Sequence, residues 1–147
     1  MWVLDSASGI GKTSSIQIAL LIEFAVAGKD NPTSIPSIIS DLEKFFEGFW
    51  VPKKGTIYPA VHNLHVRGYL KRHHIQPYGY SITNNGLEAI GKIVENLNQQ
   101  LDVYFTYFAF VLENLAKMDK KQVDVILTKY RQSMKDISER MNLLLEY

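Results

Sequence analysis

The 147-residue chain has no cysteine. That excludes disulfide staples, thiolate metal sites and a cysteine nucleophile. Long apolar runs are missing too. The two apolar stretches, residues 16–28 and 103–112, are too short to span a bilayer, and the first carries Glu23. Lys12 is the only cation near the start, so no secretory leader is visible. A cytoplasmic protein with no membrane partner is the expectation. The third scarcity is local. Residues 48–87 contain no Asp or Glu, although the chain has 15 of them. That window holds Lys53, Lys54, Arg67, Lys71 and Arg72, together with all four histidines. The rest of the chain has 11 cations against its 15 acids. Charge is therefore segregated, +5 beside −4, and a basic surface of this kind attracts polyanions.

What is present reads as helices interrupted by one hairpin. The length and the 46% hydrophobic content suit one ordinary domain, or a small domain with a helical appendage. Ser14 and Gln17 form a capping box, and an apolar helix follows to Ala27, stopped by Gly28. Pro36 suits the first turn of a second helix, which carries Ile38, Ile39, Leu42, Phe45 and Phe46 and ends near Gly48. Thr56 is the expected N-cap of a third helix over about 56–67, with Pro59 in its first turn. Its apolar set is Ile57, Ala60, Val61 and Leu64. Residues 69–83 hold two β-prone runs about a Pro-Tyr-Gly turn, a hairpin. Asn84-Asn85-Gly86 predicts a turn, followed by a long helix from Leu87 to about Lys117 and a last helix beyond residues 118–121.

This order predicts a mainly α fold, α+β in detail. It is a three-helix winged helix-turn-helix with a β-hairpin wing and two C-terminal dimerisation helices. The expected divisions are an N-terminal extension (1–13), a DNA-binding domain (14–86) and a helical dimerisation region (87–147). In such a fold the third helix enters the DNA major groove. The acid-free window covers that helix and the wing.

Residues 53–70, KKGTIYPAVHNLHVRGYL, resemble the PadR family of transcriptional regulators. Gly55, Thr56, Ile57, Tyr58, Pro59, Ala60, Val61, Leu64, Gly68, Tyr69 and Leu70 fit its pattern. Residues 49–55 resemble the family's aromatic lead-in, and residues 78–86, YGYSITNNG, resemble its wing end. The resemblance covers roughly residues 16 to 100. Three features depart from it. His65-Val66-Arg67 stands where the family often has acids, Gln76-Pro77 stands at the wing tip in place of arginines, and the first residues have no counterpart.

With the apolar set of the third helix facing a core, Tyr58, His62 and Asn63 are left outward, and His65 is a further candidate. Asn63 is a candidate reader of adenine. His62 could read a base, contact phosphate or simply face solvent. Thr56 and the first helical N–H groups suit a phosphate. The resemblance implies a phosphate contact from the Tyr58 hydroxyl. Lys53, Lys54, Arg67, Lys71, Arg72, His73, His74 and Tyr78 complete the expected DNA-facing set. His62 and His65, three apart, are half a metal site at most, with no nearby carboxylate to complete it. No metal, cofactor or catalytic residue is expected.

Five aromatics fall within residues 104–110, nearly all round their helix, and such a helix is buried. The expected cover is a second copy. Leu101, Tyr104, Phe105, Phe108 and Leu112 would meet it from one helix. Ile126, Tyr130, Met134, Ile137 and Met141 would meet it from the next. A two-fold dimer places two recognition helices about one DNA turn apart. Packing of these helices within one chain is the alternative. The resemblance also implies a small aromatic or cationic effector between protomers. Trp2, Trp50 and these aromatics could line its pocket or merely fill the interface.

Residues 1–15, MWVLDSASGIGKTSS, raise a rival reading. Gly11-Lys12-Thr13 ends like a phosphate-binding loop, G-x-x-x-x-G-K-[ST]. Ser6 stands where the first Gly belongs, and the best magnesium carboxylate, Asp41, ends a segment interrupted by Pro36. The expected function is a sequence-specific duplex-DNA-binding repressor acting as a homodimer, and not an enzyme. The alternatives are a DNA-coating adaptor without sequence preference and a nucleotide-binding protein using Lys12.

Overall fold

The computed structural model describes residues 3–4 and 13–146. Two short strands, β1 (Val3–Leu4) and β2 (Thr13–Ser14), pair antiparallel ahead of α1 (Ser15–Ala27). The capping box at the start of α1 closes in both directions. Ser14 Oγ accepts from the Gln17 N–H, and Gln17 Oε1 accepts from the Ser14 N–H. Helix α2 (Ile35–Phe45) is capped by the Ser34 hydroxyl and has Pro36 in its first turn. Then come α3 (Lys54–Val66), the hairpin strands β3 (Leu70–His73) and β4 (Gly79–Ile82), α4 (Asn84–Leu115) and α5 (Lys120–Leu144). The architecture is a mainly α winged helix.

Two boundaries differ from expectation. Lys53, not Thr56, is the N-cap of α3, and it caps without a side-chain bond. The Lys53 carbonyl accepts from both Thr56 and Ile57, so the helix starts earlier and Thr56 is its third residue. Pro59 accordingly lies inside the helix. It has no N–H to donate to the Gly55 carbonyl, and Gly55 is an exposed residue. Likewise, Asn84-Asn85-Gly86 do not turn the chain but open α4. Thr83 outweighs their turn propensity. Its hydroxyl accepts from the Gly86 N–H (3.1 Å) and donates to the Gly68 carbonyl (2.7 Å), with the Tyr69 carbonyl also in reach.

The chain divides into two compact units, Met1–Gln100 and Leu101–Tyr147. The core of the first unit gathers Leu20, Leu21 and Phe24 from α1 and Ile38, Ile39 and Leu42 from α2. Ile57, Val61 and Leu64 come from α3, Leu70 and Ile82 from the hairpin, and Ala89 and Ile93 from α4. The second unit holds the end of α4 and all of α5, which starts at Asp119 as N-cap.

The wing is fastened at its base. Thr33, between α1 and α2, exchanges both backbone hydrogen bonds with Tyr80, each 2.9 Å, and so adds one rung to β4. The Tyr80 ring meets Phe24 and His65 edge-on. This approach leaves no room beside Gly79, where a Cβ would lie 2.3 Å from the Thr33 carbonyl oxygen. Gly79→Ala is therefore expected to destabilise the fold by roughly 2–4 kcal/mol, read as a lowered midpoint in thermal or urea denaturation.

Glu23 lies half-buried on α1. Desolvation by burial, and secondarily the Asp41 carboxylate, raises its carboxyl above the ordinary glutamate range. A raised folded-state value means that its stabilising contribution is present at acid pH and is lost as pH rises through that value. Glu23→Gln should raise the melting temperature at pH 7 and change it less at pH 4, a difference that paired thermal melts would reveal.

Candidate nucleic-acid interface

Helix α3 buries Ile57, Val61 and Leu64 completely. That stripe turns the opposite side of the helix outward, and Tyr58, His62 and Asn63 are exposed. Lys53, Lys54 and Thr56 are exposed at its N-terminal end, where unsatisfied N–H groups give a partial positive charge. The wing continues the basic character. Lys71, Arg72, His74 and Tyr78 are exposed, while Leu70 and its cross-strand partner Ile82 enter the core. β3 packs against α3, so helix and wing are neighbours. Strand alternation nevertheless puts Lys71 and Arg72 on opposite faces of the hairpin. His73 is half-buried, with Nε2 2.8 Å from the Ser81 hydroxyl.

Among the described residues, salt bridges join Lys44 to Asp41 and Lys135 to Glu139. Neither involves the acid-free window. Among the described residues, no ion pair engages Lys53, Lys54, Lys71 or Arg72.

Other residues of α3 are engaged by the protein itself. Arg67, the residue after the helix, donates from Nη2 to Thr13 Oγ1 (3.3 Å) and lies over the Tyr69 ring at 4.8 Å. Asn63 Oδ1 accepts from Gln17 Nε2 at 2.9 Å. His65 does not face outward. It is half-buried, and its Nδ1 lies 2.9 Å from the Leu70 carbonyl, closing the junction between α3 and β3. No group of three or more metal-ligating side chains gathers among the described residues. Thr13 and Gln17, tied to α3 across 54 and 46 positions, are partners that sequence reasoning missed. The available signal was the Gln of the capping box, an amide whose second group is free to donate.

Trp2, Ser6 and Lys12 lie outside the described residues. The flanks of the phosphate-loop-like stretch are nevertheless informative. β1 and β2 pair antiparallel, whereas a phosphate loop joins a strand directly to a helix. Thr13, which would face Mg²⁺ in such a loop, is fully buried and accepts from Arg67. Asp41 sits within α2 and pairs with Lys44.

In the second unit, a groove of about 550 Å³ opens between the two helices. It is lined by Leu101, Tyr104, Phe105 and Phe108 from α4 and by Met134, Ile137 and Met141 from α5. Leu112 and Met134 also border a smaller recess with Leu127. Tyr104, Phe105, Phe108, Ile126, Tyr130 and Ile137 are all exposed, and Phe110 is 63% exposed. In the first unit, Trp50 stacks edge-on with Phe46 and borders a separate cavity of about 340 Å³. Among the described residues, no helix is long and apolar enough to cross a membrane.

Comparison with curated proteins and with solved structures gives no match. Residues 25–92 match the model of the transcriptional regulator PadR-like family. The matched segment takes in α2, α3, the whole hairpin and the first turns of α4. It contains the helix-turn-helix and wing whose exposed cations have just been described. Over this segment the chain is similar to the transcriptional regulator PadR-like family.

Proposed function

We propose that the protein is a sequence-specific duplex-DNA-binding repressor that acts as a homodimer, with α3 in the major groove and the hairpin against the phosphates. The observation that carries this reading is the set of exposed cations without carboxylate partners, Lys53, Lys54, Lys71 and Arg72, on α3 and the strand packed beside it. Phosphates would be held by these side chains, by Thr56 and the N-terminal N–H groups of α3, and by the Tyr58 hydroxyl. His62 and Asn63 face the base edges in this docking, and His73, His74 and Tyr78 extend the contact along the wing. Arg67 steadies the helix through Thr13 and is not counted among the phosphate contacts.

The apolar groove of the second unit supports dimerisation, since exposed apolar patches of this kind are covered by partners. The proposed dimerisation region is 87–147. In it, α4 serves twice, with its first turns in the winged-helix core and its later turns at the interface. A small aromatic effector would find its place in the same groove. The regulator is proposed to need no cofactor and to catalyse no reaction.

Four phosphates neutralised by Lys53, Lys54, Lys71 and Arg72 in each subunit imply that log affinity falls against log salt with a slope of about −3.6 per subunit. Fluorescence anisotropy with a short duplex measures this, and Lys53→Ala or Lys71→Ala should each make the slope shallower by about 1. A flat response would end the reading. DNase footprinting should give a bounded site. Protection that spreads with protein concentration would favour the DNA-coating alternative.

Light scattering at micromolar concentration should report a dimer, and Phe105→Glu should shift it to monomer without lowering the melting temperature of the winged-helix unit. A monomeric parent protein would sink the dimer.

A further inference from the structure

The side-chain amide of Asn63 is oriented by a relay that begins at a backbone group. The Ser14 N–H can only donate, so Gln17 must present Oε1 to it, at 3.0 Å. The other half of that amide, Nε2, is then turned to α3 and lies 2.9 Å from Asn63. Nε2 can only donate, so Asn63 must meet it with Oδ1. The interchangeability of oxygen and nitrogen that clouds most amides is removed at both residues. Exchanging either pair would break the capping box or set two donors against each other. Asn63 Nδ2 has no partner among the described residues, and the residue is exposed. Gln17 is already ordered by the cap, so holding Asn63 costs little further side-chain freedom.

We propose that Gln17 is a specificity-positioning residue, which makes Asn63 a hydrogen-bond donor to the base it meets. The inference rests on the docking of α3 in the major groove proposed above. The Asn–adenine pair uses the amide oxygen and nitrogen together on one base. Here the oxygen is shared with Gln17, and the two Nδ2 hydrogens are what α3 offers. The edge that meets both hydrogens with two acceptors in the major groove is guanine, with N7 and O6. Cytosine, which offers the N4 donor, is the edge that it rejects.

Gln17→Glu tests this directly. The introduced carboxylate still accepts from the Ser14 N–H, and Glu is equally at home in a capping box, so the fold is retained. Its second oxygen can only accept. Asn63 must therefore turn its amide over, with Nδ2 to the carboxylate and Oδ1 to the DNA. The experiment selects duplexes from a randomised library with the full-length parent, Gln17→Glu and Asn63→Asp, each checked by thermal melting. At one position per half-site, the guanine preference of the parent should give way to cytosine in both variants. The change in relative enrichment should be roughly five-fold or more, in line with single base-edge contacts, and other positions should be unchanged. The added negative charge will weaken overall affinity, but a uniform loss cannot move one position. An unchanged motif in Gln17→Glu overturns the inference while leaving the repressor reading intact. A parent protein that enriches no motif overturns sequence-specific binding itself, and the inference with it.

Discussion

Burial of Ile57, Val61 and Leu64 against α1 and α2 determines what α3 shows to solvent. Each such side chain contributes about 1.5–3 kcal/mol when removed from water, several times the value of a surface ion pair. The core therefore fixes the rotation of the helix, and the polar residues take the positions that remain. Tyr58 and His62 stay open. The two flanks of the helix are tied down, Asn63 and Arg67 towards the start of α1 and His65 towards β3. A helix held on three sides is a rigid surface, and rigidity reduces the ordering cost of recognition.

Much of this is legible in the sequence. The capping box at Ser14 and Gln17, the Pro36 start of α2 and the hairpin after Leu70 are local signals, and local signals survive folding. The start of α3 is not legible there, because Thr56 looks like a cap, while the Lys53 carbonyl reaches both Thr56 and Ile57. Asn84-Asn85-Gly86 look like a turn, but the Thr83 hydroxyl is tied to the Gly68 carbonyl and starts a helix there. His65 looked outward because helical period alone cannot show a carbonyl arriving from the next strand. The bond from Gln17 to Asn63 was invisible for the same reason, since its partners are 46 residues apart.

The structure also gives physical content to the residue pattern at the end of the wing. Gly79 and Gly86 are both positions of close backbone approach, the first to Thr33 and the second to Tyr69. Between them, Thr83 links the chain entering β3 to the first turn of α4. The pattern Tyr-Gly-Tyr-Ser-Ile-Thr-Asn-Asn-Gly is thus a description of two narrow places and one tie. The aromatic stretch of α4 is a different case. Periodicity indicated that it must be covered, yet Tyr104, Phe105 and Phe108 remain about half exposed in the single chain.

The double backbone bond between Thr33 and Tyr80 has an effect at a distance from itself. It ties the base of the hairpin to the connection between α1 and α2, a second attachment beside the packing of β3 on α3. In the proposed docking, a duplex that meets α3 and the wing together has to fit their spacing, and stiff and pliable sequences differ in what that fit costs. On that reading, base steps that no side chain touches are graded all the same, by their mechanics.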